Sequence, residues 1–203
     1  MNEGLLIVFQ IVVLIFSAVI HEVSHGVTAD YLGDDTARKA GRLTLNPLKH
    51  LDPFGSFMLP LVLYFVSGGS FVFGWAKPVP YNPFNLKNPK KGSGLIALAG
   101  PLSNFLMALF FSLLLVLNEN FSFGINSIFI QIAILINLSL MIFNLVPIPP
   151  LDGSKILFSL LPQKLSHIAN NLERNGMWLF LIFLFFGFQL IVPVIYFLFN
   201  LMT

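Results

Sequence analysis

Apolar residues run almost unbroken over four stretches of the chain, about 4–28, 94–117, 126–148 and 177–200. A helix needs about 20 such residues to cross the hydrocarbon core of a bilayer, so each stretch predicts a transmembrane helix. A fifth apolar piece, "FGSFMLPLVLYFV" at 54–66, is shorter, contains Pro60 and runs into the glycine-rich "SGGSFVFGW". Two polar pieces flank it. "GRLTLNP" at 41–47 alternates around Leu43 and Leu45, and "AKPVPYNP" at 76–83 is kept out of helix by Pro78, Pro80 and Pro83. Both predict extended chain, as short membrane-associated β-strands whose edge could receive a peptide by strand addition.

The charges orient this pattern. All eleven Lys and Arg residues fall in three segments: Arg38 to Lys49, Lys77 to Lys91, and Lys155 to Arg174. The connection "NENFSFGI" at 118–125 has none. Basic loops stay in the cytoplasm, which puts the N-terminus and that connection outside. The four lysines between 77 and 91 stay inside only if residues of about 54–75 enter the membrane and return to the same side. That predicts a re-entrant segment, tolerated where it is buried in protein or lines a watery cavity.

Composition agrees, with 56% hydrophobic and 10% charged residues where soluble domains average about 25% charged. A net charge of +2 without a basic stripe argues against nucleic-acid binding. The lack of cysteine leaves only nitrogen and oxygen donors for any metal. The N-terminal run has no basic region and no small-residue cleavage site before His21, so it is expected to be a retained helix and not a signal peptide. The expected fold is an all-α polytopic membrane protein, one domain over residues 1–203.

The first helix carries "HEVSHG" at 21–26. His21 and His25 lie four apart on one helix face with Glu22 beside them, the arrangement in which two imidazoles bind zinc and the glutamate is general base. Ionisable groups within a membrane helix cost about 2.5–3.5 kcal/mol each by insertion scales, so a purely incidental cluster there is disfavoured. At about 1.5 Å per residue, His21 lies in the cytoplasmic third of the bilayer core. "NLVPIPPLDG" at 144–153 offers a third ligand, because its prolines end the third helix and leave Asp152 at the break. The first and third long helices run in the same direction, so the two motifs arrive at similar depth. Two histidines and one aspartate leave a zinc position open for water.

The paired motifs resemble the site-2 protease family of intramembrane zinc metalloproteases: H-E-x-x-H at His21, Glu22 and His25, then N-x-x-P-x-P-x-L-D-G from Asn144 to Gly153. "AGPLSN" at 99–104 is similar to the G-P-x-x-N of the family's middle core helix, and "GWAKPVPYNP" at 74–83 to a segment of its compact prokaryotic members. No PDZ domain is visible. The resemblance implies a three-helix catalytic core carrying His21, Asn104 and Asp152, plus an additional transmembrane helix. It also implies one zinc ion, cleavage of transmembrane protein substrates within or near their membrane segments, and a prokaryotic cell membrane with the active site toward the cytoplasm. Asn144 and Asn104 are candidates to hydrogen-bond the substrate backbone or the oxyanion, against interhelical hydrogen bonding as the plain alternative. The competing function is a non-catalytic zinc-binding membrane protein or a transporter. A transporter has little use for Glu22 and would spread its ligands along a path between both faces. His50 and His167, in basic segments, are expected to be solvated or interfacial, and the phenylalanines from Phe180 to Phe199 to face lipid.

Overall fold

A computed structural model describes residues 3–58, 61, 62, 65, 77–121 and 123–203. The long helices are α1 (Glu3–Tyr31), α2 (Pro89–Phe121), α3 (Ser127–Leu145) and, after two short helices α4 (Asp152–Leu160) and α5 (Ser166–Arg174), α6 (Gly176–Met202). The four long helices each have the length and hydropathy to cross a membrane, which makes the chain an integral membrane protein. They match the expected spans, each boundary moving by a few residues.

Local chemistry sets these ends. Asn88 accepts from Lys91 N at 3.0 Å and Pro89 occupies the first helical position of α2, where its missing N–H costs nothing. Asn126 caps α3 by accepting from Ile128 N at 3.1 Å. α3 stops because Pro147 pushes Val146 into extended conformation, with ψ at 128°. α6 contains a π-helical turn over Phe183–Gly187.

α2 lies at the centre, packed against α1, α3 and α4, and α6 packs on α3. The ring centroids of Phe9 and Phe129 are 4.8 Å apart, while His21 meets Asp152 just beyond the end of α3, so α1 and α3 run parallel. α2 runs antiparallel between them. Ala108, Leu115, Ile134, Leu138 and Ile195 form the buried core of α2, α3 and α6. The outward faces of α1 and α2 remain apolar, as at Ile7, Ile11, Leu106 and Leu113, which suits lipid and not water as their solvent.

The segment before α2 differs from expectation in one respect. Among the described residues there are no β-strands: residues 42–46 and 77–82 run as irregular chain. Pro78 and Pro80 bring no N–H to a ladder, and Arg42 Nη2 already donates to the carbonyls of Lys77 at 2.9 Å and Pro78 at 3.2 Å. Lys77 N also donates to His50 O at 2.8 Å, so the chain leaves and returns at one place. Of the expected re-entrant segment, residues 54–58, 61, 62 and 65 are helical and the rest lie outside the described residues.

His50 corrects a second expectation. It is 1% exposed, with Nε2 at 2.8 Å from Thr44 O, because its ring fills the junction where residues 44, 50 and 77 meet. His167 is exposed, as expected. Phe185, Phe186 and Phe197 face outward, but Phe180 and Phe183 are buried against Leu151 and hold α6 to the turn that carries Asp152.

Candidate metal centre

One turn of α1 separates His21 from His25, and their rings meet edge to face with centroids 4.7 Å apart. Asp152, at the first position of α4, brings Oδ2 to 3.0 Å from His21 Nε2 and 3.1 Å from His25 Nε2. The side-chain donor atoms of His21, Glu22 and His25 lie within 4.8 Å of one another. His21, His25, Glu22 and Asp152, expected together from two motifs 130 residues apart, are therefore one cluster.

The far side of each imidazole decides its tautomer. His25 Nδ1 lies 2.6 Å from the backbone carbonyl of Ile96, which can only accept, so Nδ1 carries a hydrogen. His21 Nδ1 lies 2.6 Å from Asn104 Oδ1 and carries one too. In the neutral rings both Nε2 atoms then present lone pairs toward the same carboxylate oxygen. Three acceptors facing one another repel unless a proton or a metal cation lies among them. Two imidazole nitrogens and a carboxylate oxygen are a donor set suited to zinc, so the residues present fit that ion.

Gly100 on α2 keeps the space in front of the imidazoles open. A Cβ at this position would come within 2.5 Å of both Nε2 atoms. This glycine needs no special backbone angle; it needs to lack a side chain.

Glu22 is half-buried, and its Oε2 accepts from the backbone N–H of Val79 at 2.8 Å. Val79 belongs to the strap of residues 77–82 that crosses α1, where Gly26 admits Val79 and Leu43 into close contact. The cavity between strap, α1, α2 and α4 is about 160 Å³, and Asn144 and Lys155 contribute to its wall. Lys155 Nζ lies 5.3 Å from the centroid of the Tyr81 ring, within cation–π range.

The two candidate asparagines separate. Asn144 is half-buried in the cavity wall, its amide donating to Leu140 O at 3.0 Å one turn back. Asn104 is fully buried behind His21 and outside the cavity, its amide donating to Asn137 Oδ1 at 3.1 Å and Ser17 O at 3.4 Å. The motifs quoted above contain Gly100 and Val79 without giving either a role, and Asn137 lies outside them. Asn137 had a usable signal, an amide two turns before Asn144 in a mostly apolar helix. The Val79 contact is made by backbone and leaves no signature in residue type.

Residues 118–188 match the family described as Peptidase family M50. The chain is 41% identical over 182 residues to the Bacillus subtilis (strain 168) protein named "Putative zinc metalloprotease YwhC", which covers 86% of this chain and 78% of that one. It is 34% identical over 142 residues to Rip2 of Mycolicibacterium smegmatis, a protein with the same description, covering 68% of this chain and about half (52%) of that one. A third relative, "Zinc metalloprotease MJ0392" of Methanocaldococcus jannaschii, is 36% identical over 104 residues, covering 50% of this chain and 30% of that protein. No solved structure matches the chain.

Proposed function

The chain belongs to the site-2 protease family, peptidase family M50, and is a zinc metalloendopeptidase; from that premise we propose that it hydrolyses peptide bonds within or near the transmembrane segments of other proteins. In this reading His21, His25 and Asp152 hold one zinc ion and Glu22 is the general base. The observation that carries it is the meeting of the two Nε2 atoms and the Asp152 carboxylate beside Glu22, in a bundle whose long helices have the length and hydropathy to span a membrane. Family membership decides against the transporter alternative.

Zinc, when bound, supplies a Lewis acid that polarises the scissile carbonyl and brings the pKa of water toward about 7. Glu22 takes the proton of the attacking water and delivers it to the leaving amine. Its Oε2 is committed to Val79 N–H, which fixes the carboxylate and leaves Oε1 for the proton. Asn144, in the cavity wall, hydrogen-bonds the substrate backbone or the oxyanion. Asn104 serves the site through His21 and not through the substrate. A helical substrate unwinds before cleavage, since its peptide bonds are otherwise shielded by their own hydrogen bonds.

The proposed setting is the cytoplasmic side of a prokaryotic cell membrane. The basic segments around residues 38–49, 77–91 and 155–174 all adjoin the end of the bundle that carries the site.

The test reconstitutes the protein in lipid with a model transmembrane substrate and compares wild type with Glu22→Gln. Zinc content unchanged and cleavage abolished is the expected result; cleavage at the wild-type rate would remove Glu22 from its role.

A further inference from the structure

A line of one backbone carbonyl, two side-chain amides and one imidazole crosses the bundle behind the metal centre. It starts at the Ala133 carbonyl on α3, which can only accept, and Asn137 Nδ2 donates to it at 2.9 Å. Asn137 therefore turns Oδ1 toward α2, where Asn104 Nδ2 donates to it at 3.1 Å. Asn104 in turn presents Oδ1 to α1, where His21 Nδ1 lies at 2.6 Å. Asn104 and Asn137 are both fully buried, so no water competes for these groups.

Each bond in the line has its direction fixed by the one before. An amide reversed at Asn137 would face its NH2 to the NH2 of Asn104, and an amide reversed at Asn104 would face an NH2 to His21 Nδ1. The latter would favour the tautomer with hydrogen on Nε2, blocking the lone pair that faces Asp152. The backbone of one helix thus sets the protonation pattern of a side chain two helices away.

We propose that Asn137 is a positioning residue of the metal centre, which through Asn104 holds His21 in the tautomer whose Nε2 lone pair faces Asp152. This rests on the reading that His21 and Asp152 hold zinc. Groups behind a metal-binding histidine fix its tautomer and orientation, and their loss commonly costs 10–100-fold in metal affinity.

The test measures zinc affinity by competition with a chromogenic chelator, on the full chain in detergent, with Asp152→Ala, Asn137→Leu, Asn104→Ala, the double variant and Asn118→Leu. Asn118 is a buried amide at the far end of α2, bonded to Ile125 and remote from the histidines, and it controls for the loss of a buried hydrogen-bonding group. The expected result is zinc binding weakened about 10–100-fold in Asn137→Leu and unchanged in Asn118→Leu. It also includes no further loss when Asn137→Leu is added to Asn104→Ala, because the two act in series. If the leucine variant does not fold, Asn137→Ala removes the same oxygen without adding bulk and is read in the same way. Wild-type affinity in a folded Asn137 variant, or fully additive losses, would overturn the proposal while leaving the zinc reading intact. Wild-type affinity in Asp152→Ala would instead remove the zinc reading on which it rests.

Discussion

The backbone N–H of Val79 donates to Glu22 Oε2 at 2.8 Å, joining the strap before α2 to the side chain beside the two histidines. The strap is tied on both sides of this contact. Arg42 holds the carbonyls of Lys77 and Pro78, and Asp34 accepts from Asn82 N at 2.6 Å and Asn85 Nδ2 at 2.7 Å. A carboxylate whose orientation depends on a loop amide is thereby fixed from outside its own helix.

Val79→Pro removes that donor at a position already flanked by Pro78 and Pro80, so the extended backbone is preserved. A hydrogen bond to a charged group contributes about 1.5–3 kcal/mol, and each 1.36 kcal/mol is tenfold in rate. Cleavage by Val79→Pro is expected to fall about tenfold or more in kcat at unchanged zinc content. A wild-type kcat, measured on the reconstituted enzyme, would show that the contact is incidental.

Gly100→Ala tests the space in front of the imidazoles. Its methyl would sit 2.5 Å from both Nε2 atoms, and α2 is held on both sides by α1 and α3, so it has little room to retreat. The variant is expected to fold, with the helical circular dichroism of wild type, and to purify with most of its zinc missing. Stoichiometric zinc in Gly100→Ala would mean that the metal lies elsewhere.

The sequence made the four helices legible because lipid demands long apolar runs, and those of α1, α2, α3 and α6 are long enough to be read through Pro101 and Pro193. His21, His25 and Asp152 were legible because ionisable groups are conspicuous against that background. The strap was not. Residues 42–46 alternate as a strand would, yet Arg42, an outward-facing residue in that pattern, is buried and spends its guanidinium on backbone carbonyls of residues 77 and 78. His50 is hidden for the same reason, since a basic segment conceals which of its polar side chains the fold turns inward. Phe180 and Phe183 look like their lipid-facing neighbours until Leu151 is placed against them.

Asp34 makes the strap sensitive to acid. Burial alone would raise its pKa, but hydrogen bonds from Thr36, Asn82 and Asn85 outweigh that and hold the carboxyl below the ordinary value of 3.8. A depressed carboxylate pKa gives stability that is present in full above 3.8 and is lost as pH falls from there through the folded value. Asp34→Asn should destabilise the protein by about 2 kcal/mol at neutral pH, and the melting-temperature gap from wild type should close as pH drops below about 4. Titrations remote from Asp34 affect both proteins and cancel in the difference. A gap independent of pH between 3 and 6 would rule out an ionised Asp34 as its source.

The orientation of the bundle predicts an opposite labelling pattern at its two ends. α1 and α3 run parallel and α2 antiparallel, so residue 88, just before α2, lies at the end that holds Asp152, and residue 120 lies at the other. Basic residues crowd the first end and are absent from the 118–125 connection, so in the proposed orientation the first end faces the cytoplasm. The chain contains no cysteine, so Asn88→Cys and Asn120→Cys each introduce one unique thiol at a polar helix end. A membrane-impermeant maleimide added to intact cells should label Asn120→Cys at once and Asn88→Cys only after permeabilisation. The reverse pattern would put the metal centre on the outer face. Labelling of both from one side would contradict the antiparallel course of α2.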